Sequence, residues 1–126
     1  MREIKFEFAG QQSDGKWILS RPFTLNEIGI GWVHQFVASS NPPVHFDKLI
    51  ARQFTGLKDK NGKEIYEGDI LQISSACLPE FAGQPVAVVF EMGGFRDSYY
   101  KWILDGKQYG FAVIGNVYEN PEMTRL

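Results

Sequence analysis

The pattern of hydrophobic and polar positions predicts a β-hairpin at the start of the chain. Hydrophobic and charged side chains alternate in the order Glu3, Ile4, Lys5, Phe6, Glu7 and Phe8. A period of two residues is typical of a strand with one buried face. A polar turn ends at Asp14-Gly15, and a second apolar run begins at Trp17. Residues 3–20 are therefore predicted to form a hairpin.

The stretch 53–71 carries the clearest turn signals. The apolar runs on either side of it are separated by Asp59-Lys60-Asn61-Gly62. Aspartate at the first position of a type I turn accepts a backbone N–H, and an Asn-Gly step favours a tight hairpin. A second corner is predicted at Glu67-Gly68-Asp69, where glycine lets the chain bend sharply. Beyond that corner, residues 70–75 do not alternate cleanly, which indicates a strand buried on both faces at its start.

The region from 21 to 50 allows two interpretations. Thr24 and Glu27 have the spacing of a capping box, which would begin a helix over residues 25–37. Against that helix, Gly29 and Gly31 would each cost about 1 kcal/mol in its interior.

Residues 32–37, with the sequence WVHQFV, are rich in aromatic and β-branched side chains. Because these residue types favour extended backbone, we predict a strand there rather than a helix. A loop at Asn41-Pro42-Pro43 and a strand over residues 48–54 are predicted to follow.

The C-terminal half shows further short strands. They are predicted over residues 86–90, 99–104 and 111–114, with turns at Gly93-Gly94, Asp105-Gly106 and Gly115-Asn116. A helical turn is predicted at Asn120-Pro121, with the asparagine as its cap. Short strands at a spacing of about ten residues are typical of a barrel or sandwich. We predict a mainly β fold with two parts, an N-terminal β subdomain over residues 1–52 that includes a variable insert, and a barrel over residues 53–126.

Composition narrows the classes of protein to consider. The 126-residue chain can form one domain or two small subdomains, and its aromatic content of 14% favours strands. A formal net charge of −2 argues against a dedicated nucleic-acid or membrane-surface binder, since both usually need a basic surplus. The single cysteine, Cys77, can form no internal disulfide, which favours a reducing compartment. The charged N-terminus predicts no signal peptide, and no apolar run is long enough for a membrane span. The predicted location is cytoplasmic.

Charges within the central stretch are balanced. Four basic residues oppose four acidic ones: Arg52, Lys58, Lys60 and Lys63 against Asp59, Glu64, Glu67 and Asp69. A nucleic-acid surface normally has an excess of one sign. The sequence therefore predicts a solvated hairpin of mixed charge.

Side chains for metal binding or catalysis are sparse. His34, His45 and Cys77 lack the paired spacing of a metal site, and nothing in the sequence places a base beside the thiol. The DKNG segment is not a calcium loop, because the twelfth position from Asp59 is Ile70 rather than a glutamate. Glu64 and Glu67 could do acid–base chemistry but are better explained as surface charge. We predict no catalytic residue, no metal site and no cofactor.

Aromatic side chains are the candidates for a binding surface. They could stack on bases or grip a peptide, or could fill the core and its rim: Tyr66, Tyr99, Tyr100, Trp102, Tyr109 and Tyr118. Tyr66 and Tyr118 stand next to turns, so we interpret them first as residues that anchor those turns through hydroxyl hydrogen bonds to the backbone.

Three segments of the chain resemble one known family. QFTGLKDKNGKEIYEGDIL, the opening MREIKF and the closing IGNVYENPEM are similar to the YopX-like family of small phage and prophage proteins. The family follows its opening Lys-Phe with an arginine, an aromatic residue and an aspartate, whereas this chain has Glu7-Phe8-Ala9-Gly10. Residues 20–50 and 76–110 show no such match. The resemblance implies a mainly β fold with an SH3-like, partly open C-terminal barrel.

The resemblance also marks a set of signature residues with structural or binding roles. They are Gly56, Asp59, Asn61, Gly62, Tyr66, Gly68, Asp69, Gly115, Asn116, Tyr118, Asn120 and Pro121. From all these features we expect a non-enzymatic protein of phage or prophage type that binds proteins or assembles with itself. The expected partners are a second copy of the chain, giving a homo-oligomer, and a host or phage protein. The alternative is a small β-barrel that binds nucleic acid, and an enzyme ranks third.

Overall fold

The computed structural model describes residues 4–29, 31–73, 85–91, 94–97 and 111–124. In chain order the elements are β1 (Lys5–Gln12), β2 (Trp17–Leu19), β3 (Phe23–Thr24), α1 (Leu25–Gly29), α2 (Trp32–Ser39), β4 (Val44–Lys58), β5 (Glu64–Tyr66), β6 (Asp69–Ile73), β7 (Val86–Glu91), β8 (Gly94–Asp97), β9 (Phe111–Asn116) and a 3-10 helix (Pro121–Thr124). The fold is mainly β, as predicted. The predicted strand over residues 99–104, the turns at Gly93 and Asp105-Gly106, and Cys77 lie outside the described residues, so the closure of an SH3-like barrel stays a prediction.

The chain divides into two compact units, Met1–Phe54 and Thr55–Leu126. The boundary predicted from the sequence follows residue 52. Strand β4 runs through the division, so its first part belongs to the N-terminal unit and residues 55–58 belong to the C-terminal unit.

In the N-terminal unit, β1 pairs antiparallel with β2, β3 and β4. The β1–β2 pairing confirms the predicted hairpin. Phe8 of β1 and Phe23 of β3 are buried and meet edge to face, with ring centroids 5.9 Å apart. Edge-to-face pairs of this kind add to the stabilisation from burial. The opposite face of the sheet carries a buried ion pair, since Arg52 is only 2% exposed and its Nη2 lies 3.0 Å from Glu7 Oε1.

Residues 25–29 and 32–39 form two short helices, so the predicted strand over residues 32–37 is wrong. The capping box is confirmed, because the backbone N–H of Thr24 donates to Glu27 Oε1 at 3.0 Å and the N–H of Glu27 donates to Thr24 Oγ1 at 3.3 Å. The two glycines stand at helix ends rather than in a helix interior. Gly29 is the last residue of α1, and Gly31, with φ of +89°, is the N-cap of α2. The penalty that argued against a helix therefore does not arise.

The C-terminal unit contains an antiparallel sheet in the order β8-β7-β6-β9. Its core cluster consists of Ile65, Leu71, Val86, Val88, Phe95 and Phe111. Strand β7 lies inside this sheet, as the apolar run of residues 86–90 predicted. Ile70 and Leu71 point to opposite faces and are both 0% exposed, which confirms that β6 begins buried on both faces. Strand β8 was not predicted.

Candidate functional site

Asp59 organises the turn between β4 and β5. Its Oδ1 accepts hydrogen bonds from the backbone N–H groups of Asn61 (2.8 Å) and Lys63 (2.9 Å), and its Oδ2 accepts one from Val113 in β9 (2.9 Å). The N–H of Lys60 donates to the carbonyl of Phe111 at 2.9 Å. One buried carboxylate therefore closes the predicted turn and fastens it to β9.

The pKa of the Asp59 carboxyl is lowered from its ordinary value. Burial opposes its ionisation, but hydrogen bonds from the N–H groups of Val113, Lys63 and Asn61, together with the charge of Lys63, outweigh that effect. The ionised carboxylate therefore favours the folded state.

The lowered pKa of Asp59 predicts how the stability of the fold changes in acid. Because the folded state lowers the pKa of Asp59, its contribution is fully present above the pKa of the unfolded carboxyl, about 4, and is lost as pH falls through the lower folded value. Urea unfolding from about pH 7 to about pH 3 should show a steeper loss of unfolding free energy for the wild type than for Asp59→Asn. Parallel pH profiles for the two proteins would contradict this assignment.

The Glu67-Gly68-Asp69 corner leads into β6 and is bonded both to β7 and to the turn that follows β9. Asp69 Oδ2 accepts the N–H of Tyr66 at 2.8 Å, which closes the corner. Gly68 has φ of +87°, and its N–H donates to the carbonyl of Val88 in β7 at 2.8 Å. Its own carbonyl accepts the N–H of Val117 at 2.9 Å. The corner therefore fixes the entry of β6 against β7 and against the turn that follows β9.

That turn is organised by Asn116, which the register places opposite Asp69. Asn116 Oδ1 accepts the N–H groups of Tyr118 (3.1 Å) and Glu119 (2.9 Å), and its Nδ2 donates to Glu119 Oε1 at 2.8 Å. Asn120 Oδ1 accepts the N–H of Asn116 at 3.3 Å. The helical turn predicted at Asn120-Pro121 is present as the 3-10 helix, but this side-chain bond of Asn120 points back to β9 rather than capping the helix.

Two glycines of the signature allow close approaches between these turns. A Cβ atom at Gly68 would lie 3.0 Å from Tyr118 Cε2, and one at Gly115 would lie 2.6 Å from Asn120 Oδ1. Tyr118 thus packs its ring on the Gly68 corner. The hydroxyl of buried Tyr66 donates to Glu64 Oε1 at 3.1 Å, so a carboxylate rather than a backbone carbonyl accepts this bond.

The structure therefore brings together part of the signature. Around the β6–β9 pair it gathers Gly68, Asp69, Gly115, Asn116, Tyr118 and Asn120. Asp59, Asn61 and Gly62 form the separate turn at the tip of β4–β5, where Gly62 has φ of +82°, and Gly56 in β4 has φ of +88°. The hydrogen-bonding atoms of Asp59, Asp69 and Asn116 are directed to backbone groups and turns. The arrangement is that of a frame that holds strand ends.

Of the other residues singled out from the sequence, those that the structure describes are not gathered into a metal site. His34 and His45 are exposed, on α2 and β4 respectively. Tyr99, Tyr100, Trp102 and Tyr109 lie outside the described residues. Within the part of the chain that the structure describes, no three His, Cys, Asp or Glu side chains are grouped to hold a metal ion. No helix formed by the described residues has the length and apolar character needed to cross a membrane.

A groove that the sequence did not predict lies in the N-terminal unit, between the segment 20–23 and helix α2. Its volume is about 590 Å³, and it is lined by Ser20, Arg21, Phe23, Gln35, Phe36, Ala38 and Ser39. We call it the α2 groove. No local pattern identifies it, because it forms only when residues 20–23 meet a helix whose composition is typical of a strand.

Arg21 lines the α2 groove and contacts both Phe23 and Glu27. Its guanidinium carbon lies 4.2 Å from the centroid of the Phe23 ring, and its Nη2 lies 3.0 Å from Glu27 Oε2. The pKa of Glu27 is lowered, first by the backbone N–H of Thr24 and then by Arg21. Glu27 thus both closes the capping box and pairs with the arginine that lies over Phe23.

Taken together, these features define a small, mainly β protein of two units, with tightly bonded strand ends in one and an apolar groove in the other. The family described as YopX protein matches residues 16–124, and this chain belongs to it. The crystal structure of protein EF1440 from Enterococcus faecalis is similar to this chain over 97% of its length and 79% of that protein, with a TM-score of 0.52 and 26% sequence identity. No curated protein matches the chain.

Proposed function

We propose that this protein is a non-enzymatic protein-binding module and that a second copy of the chain is the partner that occupies the α2 groove. The observation that carries the proposal is the groove itself, whose lining combines apolar side chains such as Phe23 and Phe36 with hydroxyl and amide groups. Apolar grooves with polar rims bind the hydrophobic side chains of polypeptides. The contacts of Arg21 with Phe23 and Glu27 reduce the ordering cost of binding.

The chain itself supplies side chains of the kind that such a groove accepts. Phe90 is 50% exposed and Ile50 is 39% exposed. A contact between the groove of one copy and an apolar side chain elsewhere on the next would be heterologous, and such contacts build rings or filaments. Self-association is therefore the first activity to test, ahead of binding to a host or phage protein.

The proposal of a non-enzymatic role is supported by the signature carboxylates. Asp59 and Asp69 are both buried, and both accept hydrogen bonds from backbone N–H groups. A general acid or base needs an oxygen that can reach a substrate proton. These carboxylates instead close turns.

The test introduces a carboxylate at an exposed position that lines the groove, so that no core side chain is changed. Ala38 is exposed and lines the groove, whereas Asn26 is exposed on α1 and does not. Ala38→Glu should weaken self-association by about tenfold or more, because a carboxylate desolvated in an apolar contact is costly. Asn26→Glu adds the same charge and should associate as the wild type does. Sedimentation velocity over a concentration series measures both, and circular dichroism confirms that each variant is folded.

The outcomes separate the possible partners. Equal association of Ala38→Glu and the wild type would show that the groove is not the interface between copies. If the wild type is monomeric, affinity capture from induced host cells follows. A protein captured by the wild type and Asn26→Glu but lost with Ala38→Glu would identify a different protein as the partner. Capture that nuclease abolishes for the wild type and for Ala38→Glu alike would overturn protein binding by the groove in favour of nucleic acid.

A further inference from the structure

Several charged residues of the central stretch are buried in the structure, which a count of charges from the sequence does not show. Asp59 is 8% exposed, Asp69 is 3% exposed, and Arg52 is 2% exposed and paired with Glu7. These three charges are thus withdrawn from the surface. Of the four charges of each sign in this stretch, Lys58, Lys60, Lys63, Glu64 and Glu67 keep access to solvent, while the buried carboxylate of Asp59 still interacts with the charge of Lys63.

What remains at the tip of the β4–β5 hairpin is basic. Lys58, Lys60 and Lys63 are all exposed, whereas Glu64 is half-buried and accepts the Tyr66 hydroxyl. Among the described residues, no carboxylate lies within ion-pair distance of these three ammonium groups. We call Lys58, Lys60 and Lys63 the lysine tip.

The backbone beneath the lysine tip is fixed. The N–H of Asp59 donates to the carbonyl of Lys63 at 2.8 Å, and the N–H of Gly62 donates to the carbonyl of Asp59 at 3.0 Å. The N–H of Lys60 donates to the carbonyl of Phe111, so the tip is also fastened to β9. Lys58 ends β4, and Lys60 and Lys63 belong to the turn that follows, so the three lysines lie on one short folded segment. A partner that binds them orders only side chains, which limits the entropy cost.

We propose that the lysine tip contacts the phosphate backbone of nucleic acid. Each ammonium group that neutralises a phosphate releases a condensed counterion, so a cluster of lysines gains affinity from a polyanion with closely spaced charges. The contact is independent of sequence, because no base-reading element is involved. With three phosphate contacts and a net charge of −2 against it, the binding is weak and strongly dependent on salt. This inference stands apart from the proposed function, since it uses the other unit.

The chain offers a matched control, because Lys16 and Lys48 are exposed lysines of the N-terminal unit. The experiment measures the fluorescence anisotropy of a labelled DNA duplex of about 20 base pairs at several salt concentrations. It compares the wild type with Lys60→Gln/Lys63→Gln and with Lys16→Gln/Lys48→Gln, which lose the same charge. All four positions are exposed, so melting temperatures should change little, with the larger decrease for Lys60→Gln/Lys63→Gln, which removes the charge of Lys63 beside Asp59.

The wild type should bind with a slope of log K against log salt of about −2.7, the value for three phosphates. The Lys60→Gln/Lys63→Gln variant should bind about tenfold more weakly at low salt, with the slope reduced in magnitude by about 2. The Lys16→Gln/Lys48→Gln control should change affinity by less than about twofold.

Three results would each overturn the proposal. Equal losses of affinity in the two variants would show a net-charge effect. Failure of the wild type to bind at about 50 mM salt would show that the lysine tip is not a nucleic-acid site. Competition by polyglutamate as strong as that by unlabelled duplex would assign the lysine tip to acidic protein.

Discussion

Replacing Asp59 by alanine is expected to destabilise the C-terminal unit by about 4 kcal/mol, a large effect for a single substitution. The substitution leaves the N–H groups of Asn61, Lys63 and Val113 without their carboxylate acceptor. Hydrogen bonds to a charged group contribute about 1.5–3 kcal/mol each, and water replaces part of that at the turn. Urea denaturation followed by circular dichroism measures the change.

Asn61→Ala is the control for this prediction. Asn61 belongs to the same turn and to the family signature, but its side chain is exposed and its bond to Asp59 uses only its backbone N–H. We expect a change below about 0.5 kcal/mol. If Asn61→Ala destabilised the protein as much as Asp59→Ala, the turn would depend on something other than the carboxylate.

Gly68→Ala is expected to cost about 3 kcal/mol. The φ of +87° at this position is unfavourable for any residue with a side chain, and a Cβ atom there would lie 3.0 Å from Tyr118 Cε2. The first effect contributes about 1–2 kcal/mol. Moving the Tyr118 ring away from the corner adds at least about 1 kcal/mol. Urea denaturation again measures the loss.

Gly62→Ala separates the cost of the positive φ from the cost of moving the Tyr118 ring. Gly62 has a similar φ of +82°, but nothing lies within 4 Å of the position that its Cβ would take. Its substitution should therefore cost only the conformational contribution, about 1–2 kcal/mol. Equal losses of unfolding free energy for Gly62→Ala and Gly68→Ala would mean that the Tyr118 contact contributes nothing.

Local signals in the sequence are enough to predict the turns. The bonds of Asp59 to Asn61 and Lys63, and the capping box of Thr24 and Glu27, each join residues within four positions of one another. Short-range chemistry of this kind is visible in a single sequence. The β1–β2 hairpin is also predicted from local signals, but its burial does not follow the alternation, since Phe8, Ala9 and Gly10 are buried in succession and Ile4 is 47% exposed.

Features that depend on distant residues are not visible in this way. Strand β8 is only four residues long, and it is defined by its pairing with β7 rather than by its own composition. The segment 32–37 has strand-like composition, but the positions of Gly29 and Gly31 at helix ends decide its structure. Tertiary context overrides propensity in such cases.

The two candidate sites could not be predicted from local sequence either. The α2 groove requires residues 20–23 to meet residues 35–39, which no periodicity indicates. The lysine tip depends on burial, because the formal charges of Asp59 and Asp69 count equally in a sequence whether they are exposed or not. The signature residues could be marked from the resemblance, but their roles in closing turns depend on which backbone groups they reach.

We propose that the signature residues hold the turns and strand ends of the fold and that the α2 groove binds the partner. The most direct test of this division measures self-association for Ala38→Glu and Asp59→Asn at one temperature where circular dichroism shows both to be folded. We expect Ala38→Glu to keep wild-type stability and lose association, and Asp59→Asn to lose stability and keep association. A folded Asp59→Asn protein that fails to associate, or an Ala38→Glu protein that associates normally, would contradict this division of roles.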